Sequence, residues 1–427
     1  VAYTGFAPSM ACALNVGDTT HFSRAGVEYL GRTFLAGYRQ AVANTQASPV
    51  ATPALSVPNC AGRAIAMDPT RFLDTRIWPG RVAAGKSVTF RVAGVRGVPK
   101  SVSAVVVNLT VTSATSSGAI TAYAAGTAKP GISNLNYVAG RTVSHLATVP
   151  LGADGRLTLT NTSSGSVHLI ADVSAYFHAG TPSAPGVFSA VRPTRLLDTG
   201  SSSGAVAGGR AVSFAAGGTT GIPVNASAVV LKITASGTKS LGYLTAYATG
   251  SPMPSTSNLN YSAGQTVSNV VVVPVGTDGK VTVANTSSGS AQIIADVTGY
   301  FLPGKPTQVG ALRALSPTRF LDTRVTSGPV AGGGSITFHV RGVKGIPTTV
   351  AAVVVNLTVT ESKSIGYLTA FASGSSTPNA SNLSYQRGQA VANLAVVPVG
   401  PDGNVKITNT SSGSVQIIAD VAGYLRG

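Results

Sequence analysis

The fold is decided by the stretch Ala104-Val-Val-Val-Asn-Leu-Thr-Val-Thr112. Its residues alternate with a period of two, and a β-strand places successive side chains on opposite faces. The residues expected to share one face are Val105, Val107, Leu109 and Val111, and those expected on the other are Val106, Asn108 and Thr110. Further strand-like runs are Ser87–Val92, Ile120–Ala125, Thr142–Val149, Arg156–Asn161 and Val167–Phe177.

An Asp-Gly pair stands between two of these runs, at Asp154-Gly155. Asp-Gly is a strong signal for a two-residue β-hairpin, because a type I′ turn needs positive φ at both central residues. The pair recurs at Asp278-Gly279 and Asp402-Gly403. The sequence therefore predicts a tight hairpin at each of these places.

The strand pattern belongs to an internal repeat with a step of 124 residues and no insertion or deletion. Pro-Thr-Arg begins at Pro69, Pro193 and Pro317, Ser-Asn-Leu at Ser133, Ser257 and Ser381, and Asn-Thr-Ser-Ser-Gly-Ser at Asn161, Asn285 and Asn409. At ~100–200 residues per domain, 427 residues are comfortable for three domains. The predicted division is a segment at 1–44, a linker at 45–63, and three repeats at 64–178, 188–302 and 312–427.

Each copy is large enough to close its own core. About seven or eight short strands, separated by Gly, Ser and Pro turns, are typical of antiparallel β-sandwiches. We therefore predict an all-β fold: three tandem antiparallel β-sandwich or jelly-roll-like domains, with a short helical N-terminal segment. Three equal copies also allow packing about a pseudo-threefold axis, which would present three equivalent surfaces.

The chain is basic because acids are missing, not because basic residues are enriched. Lys and Arg number 30 against 13 Asp and Glu, a net charge of +17, yet charged residues make up only 10% of the chain, against ~25% in ordinary soluble proteins. No run of five like charges occurs, which argues against a specific nucleic-acid partner. The longest apolar runs, such as Val270–Val273, are strand-sized, so no transmembrane span is predicted. An acid-poor surface suits a partner such as an anionic polysaccharide or a cell wall.

Nine of the thirteen acids occupy three positions that recur in every copy. One set, Asp154, Asp278 and Asp402, belongs to the Asp-Gly turns. The other two sets predict Arg–Asp braces, since a buried carboxylate must be paired and Arg offers bidentate geometry. The brace residues are Arg71, Asp74, Asp172, Arg195, Asp198, Asp296, Arg319, Asp322 and Asp420. The alternative is a carboxylate-lined calcium or sugar site, although two acids per copy are few for an ion that takes ~6–8 oxygen ligands.

Sugar binding would need exposed aromatic rings. The candidate ligand-facing aromatic residues are Trp78, Tyr137, Tyr261 and Tyr385. Recurrence of the tyrosines in three copies also fits packing in a core, which is the alternative. Five scattered His and two Cys have no zinc-ligand spacing, so neither a metal nor a cofactor is predicted.

Cys12 and Cys60 are the only cysteines of the chain. Its composition, rich in Thr, Ser, Val and Gly, suggests an exported protein, in which a disulfide persists. We predict a Cys12–Cys60 disulfide, with two buried thiols as the alternative, and a secreted or cell-surface location. The chain begins at Val1 without a recognisable signal sequence, so we expect that a signal has been removed or that a longer precursor exists.

The N-terminal segment contains one motif with a catalytic pattern, Asp18-Thr-Thr-His21-Phe-Ser-Arg-Ala-Gly26, followed by an amphipathic stretch. Over about residues 15–44 it resembles the last sequence block of SGNH/GDSL hydrolases, and among them the rhamnogalacturonan acetylesterase type of carbohydrate esterase. In that family the Asp and His of this block complete a Ser–His–Asp triad, so the resemblance implies that Asp18 orients His21, the general base. No Gly-Asp-Ser nucleophile block precedes the motif, so the triad is incomplete in this chain. The alternative is a helix N-terminus that contains Asp and His.

The repeats carry the motifs Pro-Thr-Arg-x-Leu-Asp-Thr, Ser-Asn-Leu-Asn-Tyr, Val-Pro-Val-Gly-x-Asp-Gly and Ile-Ala-Asp-Val-x-Gly-Tyr-Phe. These resemble domains found in tandem in secreted actinobacterial proteins, often behind an enzyme or a wall-active domain. The resemblance covers about 85% of the chain and implies export and an accessory role.

The leading hypothesis is a non-catalytic accessory region that anchors or presents an exported SGNH-type carbohydrate esterase at a polysaccharide or cell-envelope surface. Two alternatives stay open. One is a structural or surface protein that self-associates, and the other is an SGNH-type esterase whose catalytic domain is mostly missing from this chain.

Overall fold

Twenty-four β-strands build the part of the chain that the computed structural model describes, residues 60–427. Within that part no helix occurs, so the all-β prediction is confirmed there, and residues Ala61–Gly427 form one compact unit. The predicted N-terminal helical segment at 1–44 lies outside the described residues.

Each copy contributes eight strands in the same order. The first copy contains β1 (Ala64–Asp74), β2 (Ser87–Arg91), β3 (Val102–Thr112), β4 (Gly118–Ala124), β5 (Leu135–Tyr137), β6 (Val143–Pro150), β7 (Arg156–Asn161) and β8 (His168–His178). The second contains β9 (Phe188–Asp198), β10 (Ala211–Ala215), β11 (Ala228–Ser236), β12 (Gly242–Ala248), β13 (Leu259–Tyr261), β14 (Val267–Pro274), β15 (Lys280–Ser287) and β16 (Gln292–Phe301). The third contains β17 (Leu312–Asp322), β18 (Ser335–His339), β19 (Val350–Thr360), β20 (Gly366–Ala372), β21 (Leu383–Tyr385), β22 (Val391–Pro398), β23 (Asn404–Ser411) and β24 (Gln416–Arg426).

The strands of each copy form two four-stranded antiparallel sheets. In the first copy the inner sheet has the order β1-β8-β3-β6 and the outer sheet the order β2-β7-β4-β5. Corresponding strands pair in the other two copies. One apolar core lies between the two sheets of each copy, so each copy is a β-sandwich.

Strand β3 shows how the alternating pattern places the two faces of an inner sheet. Val105, Val107, Leu109 and Val111 belong to the core of the first copy, as predicted for one face. Val106, on the opposite face, belongs to a different core that all three copies share. Both faces of the inner sheet are therefore buried, which explains why this strand carries three consecutive valines.

The shared core lies on a pseudo-threefold axis, and we call it the axial core. The three strands β6, β14 and β22 contact one another pairwise along it. Its larger members are Val106, Leu146 and Phe177 of the first copy, Phe188, Val230, Val270, Val272 and Phe301 of the second, and Leu312, Val354, Leu394, Val396 and Leu425 of the third. The copies thus pack about a pseudo-threefold axis, as the repeat allowed.

Backbone hydrogen bonds between successive copies close the ring at one end of the axial core. The amide of Phe188 donates to the carbonyl of Gly62 at 2.8 Å, that of Leu312 to Gly186 at 2.8 Å, and that of Ala64 to Gly310 at 2.9 Å. The three glycines have φ of +72°, +74° and +75°, a left-handed conformation that glycine adopts without steric cost. We call these glycines the closing glycines.

The predicted Asp-Gly hairpin is wrong. Strand β6 lies in the inner sheet and β7 in the outer sheet, so the loop that contains Asp154 and Gly155 connects two sheets and not two paired strands. Only the glycine has positive φ (+75°), and the Asp154 carboxylate accepts the Arg156 amide at 3.1 Å. A turn closed by the Gly155 amide and the Gly152 carbonyl at 2.8 Å carries the chain across the sandwich.

Candidate functional site

The arginines and aspartates predicted to form braces come together in every copy. In the first copy Arg71 Nε and Nη2 donate to the two oxygens of Asp172 at 2.8 and 3.2 Å, and Nη1 donates to Asp74 at 3.3 Å. Asp172 is fully buried, and burial raises the pKa of its carboxyl against the opposing effect of Arg71. The contacts of Arg319 with Asp420 and Asp322 repeat this arrangement in the third copy.

A second arginine completes the brace in two of the copies. Arg76 donates to both oxygens of Asp74 at 2.9 and 2.6 Å, and this hydrogen bonding lowers the pKa of Asp74. Arg324 does the same for Asp322. These carboxylates are occupied by guanidinium groups on both oxygens, so a calcium ion would have to displace two cations to bind there.

The second copy departs from this pattern. Gly200 stands where the others have Arg76 and Arg324, so Asp198 is bonded to one guanidinium group, that of Arg195 at 3.0 Å, and to the Gly200 amide at 3.1 Å. Arg195 still binds Asp296 through Nε at 2.9 Å. The brace of the second copy is accordingly more open to solvent.

The three tyrosines proposed as ligand-facing residues do not face a ligand. The rings of Tyr137, Tyr261 and Tyr385 are buried in the cores of their copies. Their hydroxyl groups donate to the buried side chains of Asn161, Asn285 and Asn409. A buried Tyr hydroxyl needs such a partner, so these residues are structural, and the core-packing alternative holds for them.

Trp78 is the exposed aromatic residue among the four candidates. It is 75% accessible, its neighbour Ile77 is 85% accessible, and both lie in the loop after β1 that begins at the brace. The equivalent residues of the other copies are Ser202 and Thr326, so the indole is not required for this loop to form.

Polar side chains cross the interfaces between copies near the axial core. Asn393 Nδ2 donates to Asn108 Oδ1 at 2.9 Å, which joins the third copy to the first. Asn269 Nδ2 donates to Asn356 Oδ1 at 2.9 Å, which joins the second copy to the third. The third interface has different residues at the same positions.

Lys232 and His145 replace the asparagine pair between the first and second copies. The Lys232 ammonium is buried and donates to the carbonyl and hydroxyl oxygens of Ser133. Burial lowers the pKa of Lys232 to about 8. Burial, with the charge of Lys232, lowers the pKa of His145 to about 3, so this imidazole is neutral at pH 7.

Stability should depend on pH through Lys232. The unfolded chain keeps the proton up to about pH 10.5, whereas the folded protein releases it above about pH 8, so stability rises with pH in this window. We expect the unfolding free energy of the wild type to rise by about 1–2 kcal/mol relative to that of Lys232→Asn between pH 8 and 9.5. Urea unfolding at several pH values measures this difference. Parallel curves for the two proteins would contradict it, since other titrating groups act on both alike.

An open cavity of about 600 Å³ lies on the pseudo-threefold axis, and its lining comes from all three copies. We call it the axial funnel: it is lined by residues from segments 135–145, 259–268 and 386–392. The lining ends at His145, and the axial core begins one residue further along β6, at Leu146. No Asp or Glu is among the lining residues.

Two arginines line the axial funnel, Arg141 and Arg387. Both are exposed, and neither side chain makes a hydrogen bond or ion pair with any residue in the described part of the chain. At the position of Arg141 the other copies have Gln265 and Gln389, whose Oε1 atoms accept the amides of Ser262 and Gln386 at 2.8 and 3.0 Å. An arginine side chain has no acceptor, so the Arg141 side chain does not replace this bond, and the turn is closed by the Arg141 amide, which donates to the Val138 carbonyl at 3.2 Å.

Several of the predicted site residues fall outside the described range. Asp18, His21 and Cys12 belong to residues 1–59, so the incomplete triad and the Cys12–Cys60 disulfide stay predictions. Among residues 60–427, no group of three or more His, Cys, Asp or Glu is arranged to hold a metal ion. No helix long and apolar enough to cross a membrane is present in that same range.

Comparison with known proteins does not assign the chain to a family. No protein-family model and no curated protein matches the chain. Among solved structures, it is similar to a triple jelly-roll structure from the turret assembly of an archaeal virus, with a TM-score of 0.21 and 11% identity over 87% of this chain and 93% of that chain. It is also similar to the tandem CBM22-1–CBM22-2 domains of Xyn10C from Paenibacillus barcinonensis, with a TM-score of 0.18 and 12% identity over 56% of this chain and 99% of that chain. At these TM-scores the likeness carries no conclusion about ligand or function.

Proposed function

We propose that residues 61–427 form a non-catalytic accessory module that holds an exported SGNH-type carbohydrate esterase at an acidic polysaccharide or cell-envelope surface. The observation that supports this most is that most acidic residues are already engaged in contacts within the protein. Of the eleven Asp and Glu in these residues, six are bonded to arginine within the braces and three lie in the Asp-Gly turns. The 27 Lys and Arg of the same residues are left with few compensating charges at the surface.

An acid-depleted surface attracts polyanions at a distance. The attraction acts over about 10 Å at 0.1 M salt and shortens as salt is added. It therefore supports retention on a charged polymer without requiring a specific pocket. Uronate polysaccharides and phosphate-bearing wall polymers both have the necessary charge.

Trp78 supports the saccharide part of the proposal. An exposed indole offers a flat apolar surface to the apolar face of a sugar ring, and Arg76 lies two residues away in the same loop. Arg76 is bonded to Asp74, so the charge of an acidic saccharide would be met by the unpaired surface Lys and Arg, and Trp78 would contact the sugar ring.

The proposal is tested by retention of the purified protein on immobilised polygalacturonate, on cell walls and on a neutral glucan. We expect binding to polygalacturonate or cell walls that weakens as salt rises from 50 to 500 mM, and little binding to the glucan, because the attraction is screened (about 13 Å falling to about 4 Å). Failure to bind any of the three, or binding indifferent to salt, would overturn the proposal.

Trp78→Ser should weaken retention by about two- to tenfold while leaving stability unchanged, because copy two already has Ser202 at this position. Leu241→Ser is the matched control: Leu241 is 73% exposed on another loop, and the first copy has Ser117 there. Equal effects of the two substitutions would show that Trp78 is not part of the binding surface.

A further inference from the structure

We propose that the axial funnel binds the end of an acidic saccharide chain, with Arg141 and Arg387 holding a charged group and His145 a hydroxyl group at the base. The inference rests on the proposed function and deepens it, since it names a ligand class and a place. It comes from comparing the three copies with one another.

The other copies show that the fold does not need the two arginines. Gln265 and Gln389 close the turn at the position of Arg141, while Ala139 and Ala263 stand at the position of Arg387. The loops form alike in all three copies, and the glycines at their tips have φ of +70°, +74° and +70°. A side chain that is absent from equivalent loops, exposed and unpaired has no role in holding its own loop.

His145 is the second feature that points to a ligand. It is buried, it lines the axial funnel, and its Nε2 atom has no hydrogen-bond partner within residues 60–427. Its counterparts Asn269 and Asn393 both have their amide groups bonded. Asn269 Nδ2 donates to the Asn258 carbonyl within its own copy and to Asn356 Oδ1 across the interface. A buried polar nitrogen without a partner costs free energy, and a ligand hydroxyl group at the base would satisfy it once the neighbouring side chains moved aside, because Nε2 itself is shielded from the open funnel.

The groups in the axial funnel select the ligand's chemistry. Two guanidinium groups and no acid favour an anionic group with oxygens spaced for bidentate bonding, a carboxylate or a phosphate. A neutral imidazole, together with the hydroxyl groups of Thr142 and Ser268, suits uncharged hydroxyl groups. A saccharide with a charged substituent has both kinds of group on one molecule.

The shape of the axial funnel selects a chain end. Its volume of about 600 Å³ lies within the usual range for small-ligand sites. Leu146, Val270 and Leu394 of the axial core fill the axis beyond the base, so a polymer has no path through. The site therefore accepts a terminal unit, whereas the interior of a long chain passes over its mouth.

Isothermal titration calorimetry with trigalacturonate tests the proposal on the full chain. We expect one trigalacturonate per protein, and no binding of its fully methyl-esterified form, which lacks the charge. Arg141→Gln combined with Arg387→Ala should weaken binding by about tenfold or more, and these substitutions copy residues of the other repeats. His145→Asn, also a residue of the other copies, should weaken binding by about threefold or more without changing its salt dependence.

Arg91→Gln combined with Arg210→Gln is the matched control. Both residues are exposed arginines near the outer sheets and outside the axial funnel, so the same charge is removed elsewhere. An effect equal to that of the funnel variant would show diffuse attraction and overturn the assignment. Binding of glucose 6-phosphate in place of trigalacturonate, abolished by the same variant, would assign the site to phosphate-bearing saccharides. Equal binding of inorganic phosphate alone would reduce the site to an anion site and also overturn it.

Chain length separates end binding from interior binding. Trigalacturonate and hexagalacturonate should bind with the same affinity per molecule, within about twofold, because each offers one fitting end. Affinity that grows with the number of uronate units would contradict end binding. If the funnel variant binds trigalacturonate normally while retention on polygalacturonate still falls with salt, the inference fails and the proposed function stands. If neither the wild type nor the variants are retained on polygalacturonate or cell walls, the proposed function itself is overturned.

Discussion

Replacing Arg71 with glutamine is expected to lower the free energy of unfolding at pH 7 by about 3–5 kcal/mol. The substitution leaves the fully buried carboxylate of Asp172 without its bidentate partner. Its remaining hydrogen bond comes from the Ser381 amide of the third copy, at 3.1 Å. A single amide does not offset the charge of a buried carboxylate.

The loss should shrink in acid. Burial already raises the pKa of Asp172 in the wild type, and without Arg71 the pKa rises further because the main opposing contact is lost and only the Ser381 amide remains. The folded variant therefore takes up a proton at a pH where the unfolded chain remains ionised, and its disadvantage decreases as the pH falls through that window. Urea unfolding at pH 7 and pH 5, followed by circular dichroism, measures both parts of the prediction.

Two further variants, a double substitution and a surface control, test whether the unpaired charge causes the loss. Adding Asp172→Asn to Arg71→Gln removes the unpaired charge and should restore most of the lost stability. Arg156→Gln breaks a surface ion pair with Asp154 in which both side chains are about half exposed, and should cost less than about 1 kcal/mol. If Arg71→Gln costs no more than this surface control, the brace does not stabilise the fold as argued.

Replacing Gly186 with alanine is expected to lower the free energy of unfolding by about 2–4 kcal/mol. Gly186 has a φ of +74°, and a Cβ atom there would lie 2.7 Å from the Leu312 carbonyl oxygen and 2.6 Å from Pro306. The Leu312 amide is also the group that donates to Gly186 across the ring. The new methyl group would therefore push apart the backbones that join the second copy to the third.

Gly209→Ala separates the two causes of this effect. Gly209 has a nearly identical φ of +71°, but no atom lies within 4 Å of the place its Cβ would occupy. This substitution should lower the free energy of unfolding only by the cost of the left-handed conformation, about 1 kcal/mol. The difference between the two variants in thermal or urea unfolding isolates the close approach of the backbones. Equal losses would mean that the closing glycines are needed for φ alone.

Local patterns predicted much of this fold. The period of two in β3 assigned Val105 and Val107 to one face, and the spacing of Arg71 and Asp74 pointed to a charge pair, because both signals involve neighbours in the chain. The Asp-Gly hairpin was mispredicted because the turn residues do not encode which sheet the next strand joins. Strand β7 leaves β6 for the outer sheet, and that choice depends on the packing of the whole sandwich.

The axial funnel was missed for a related reason. A repeat is recognised by the residues that its copies have in common. The funnel is distinguished by residues that differ between the copies, such as Arg141, which corresponds to Gln265. That difference was visible in the sequence, but its meaning depends on three loops meeting on one axis. Only the packing of the copies shows that Arg141, Arg387 and His145 line a single cavity.

Closure of the ring also fixes the number of copies at three. Each copy meets one neighbour through its inner sheet on either side, and the bond from Ala64 to Gly310 returns the chain to its start. A chain with two copies would leave an axial core facing water, and a fourth copy would have no gap to enter. Lengthening one joint would shift its copy off the axis, whereas loops of the outer sheets are free of this restriction. The two joints between copies, residues 179–187 and 303–311, have equal length, as this closure requires.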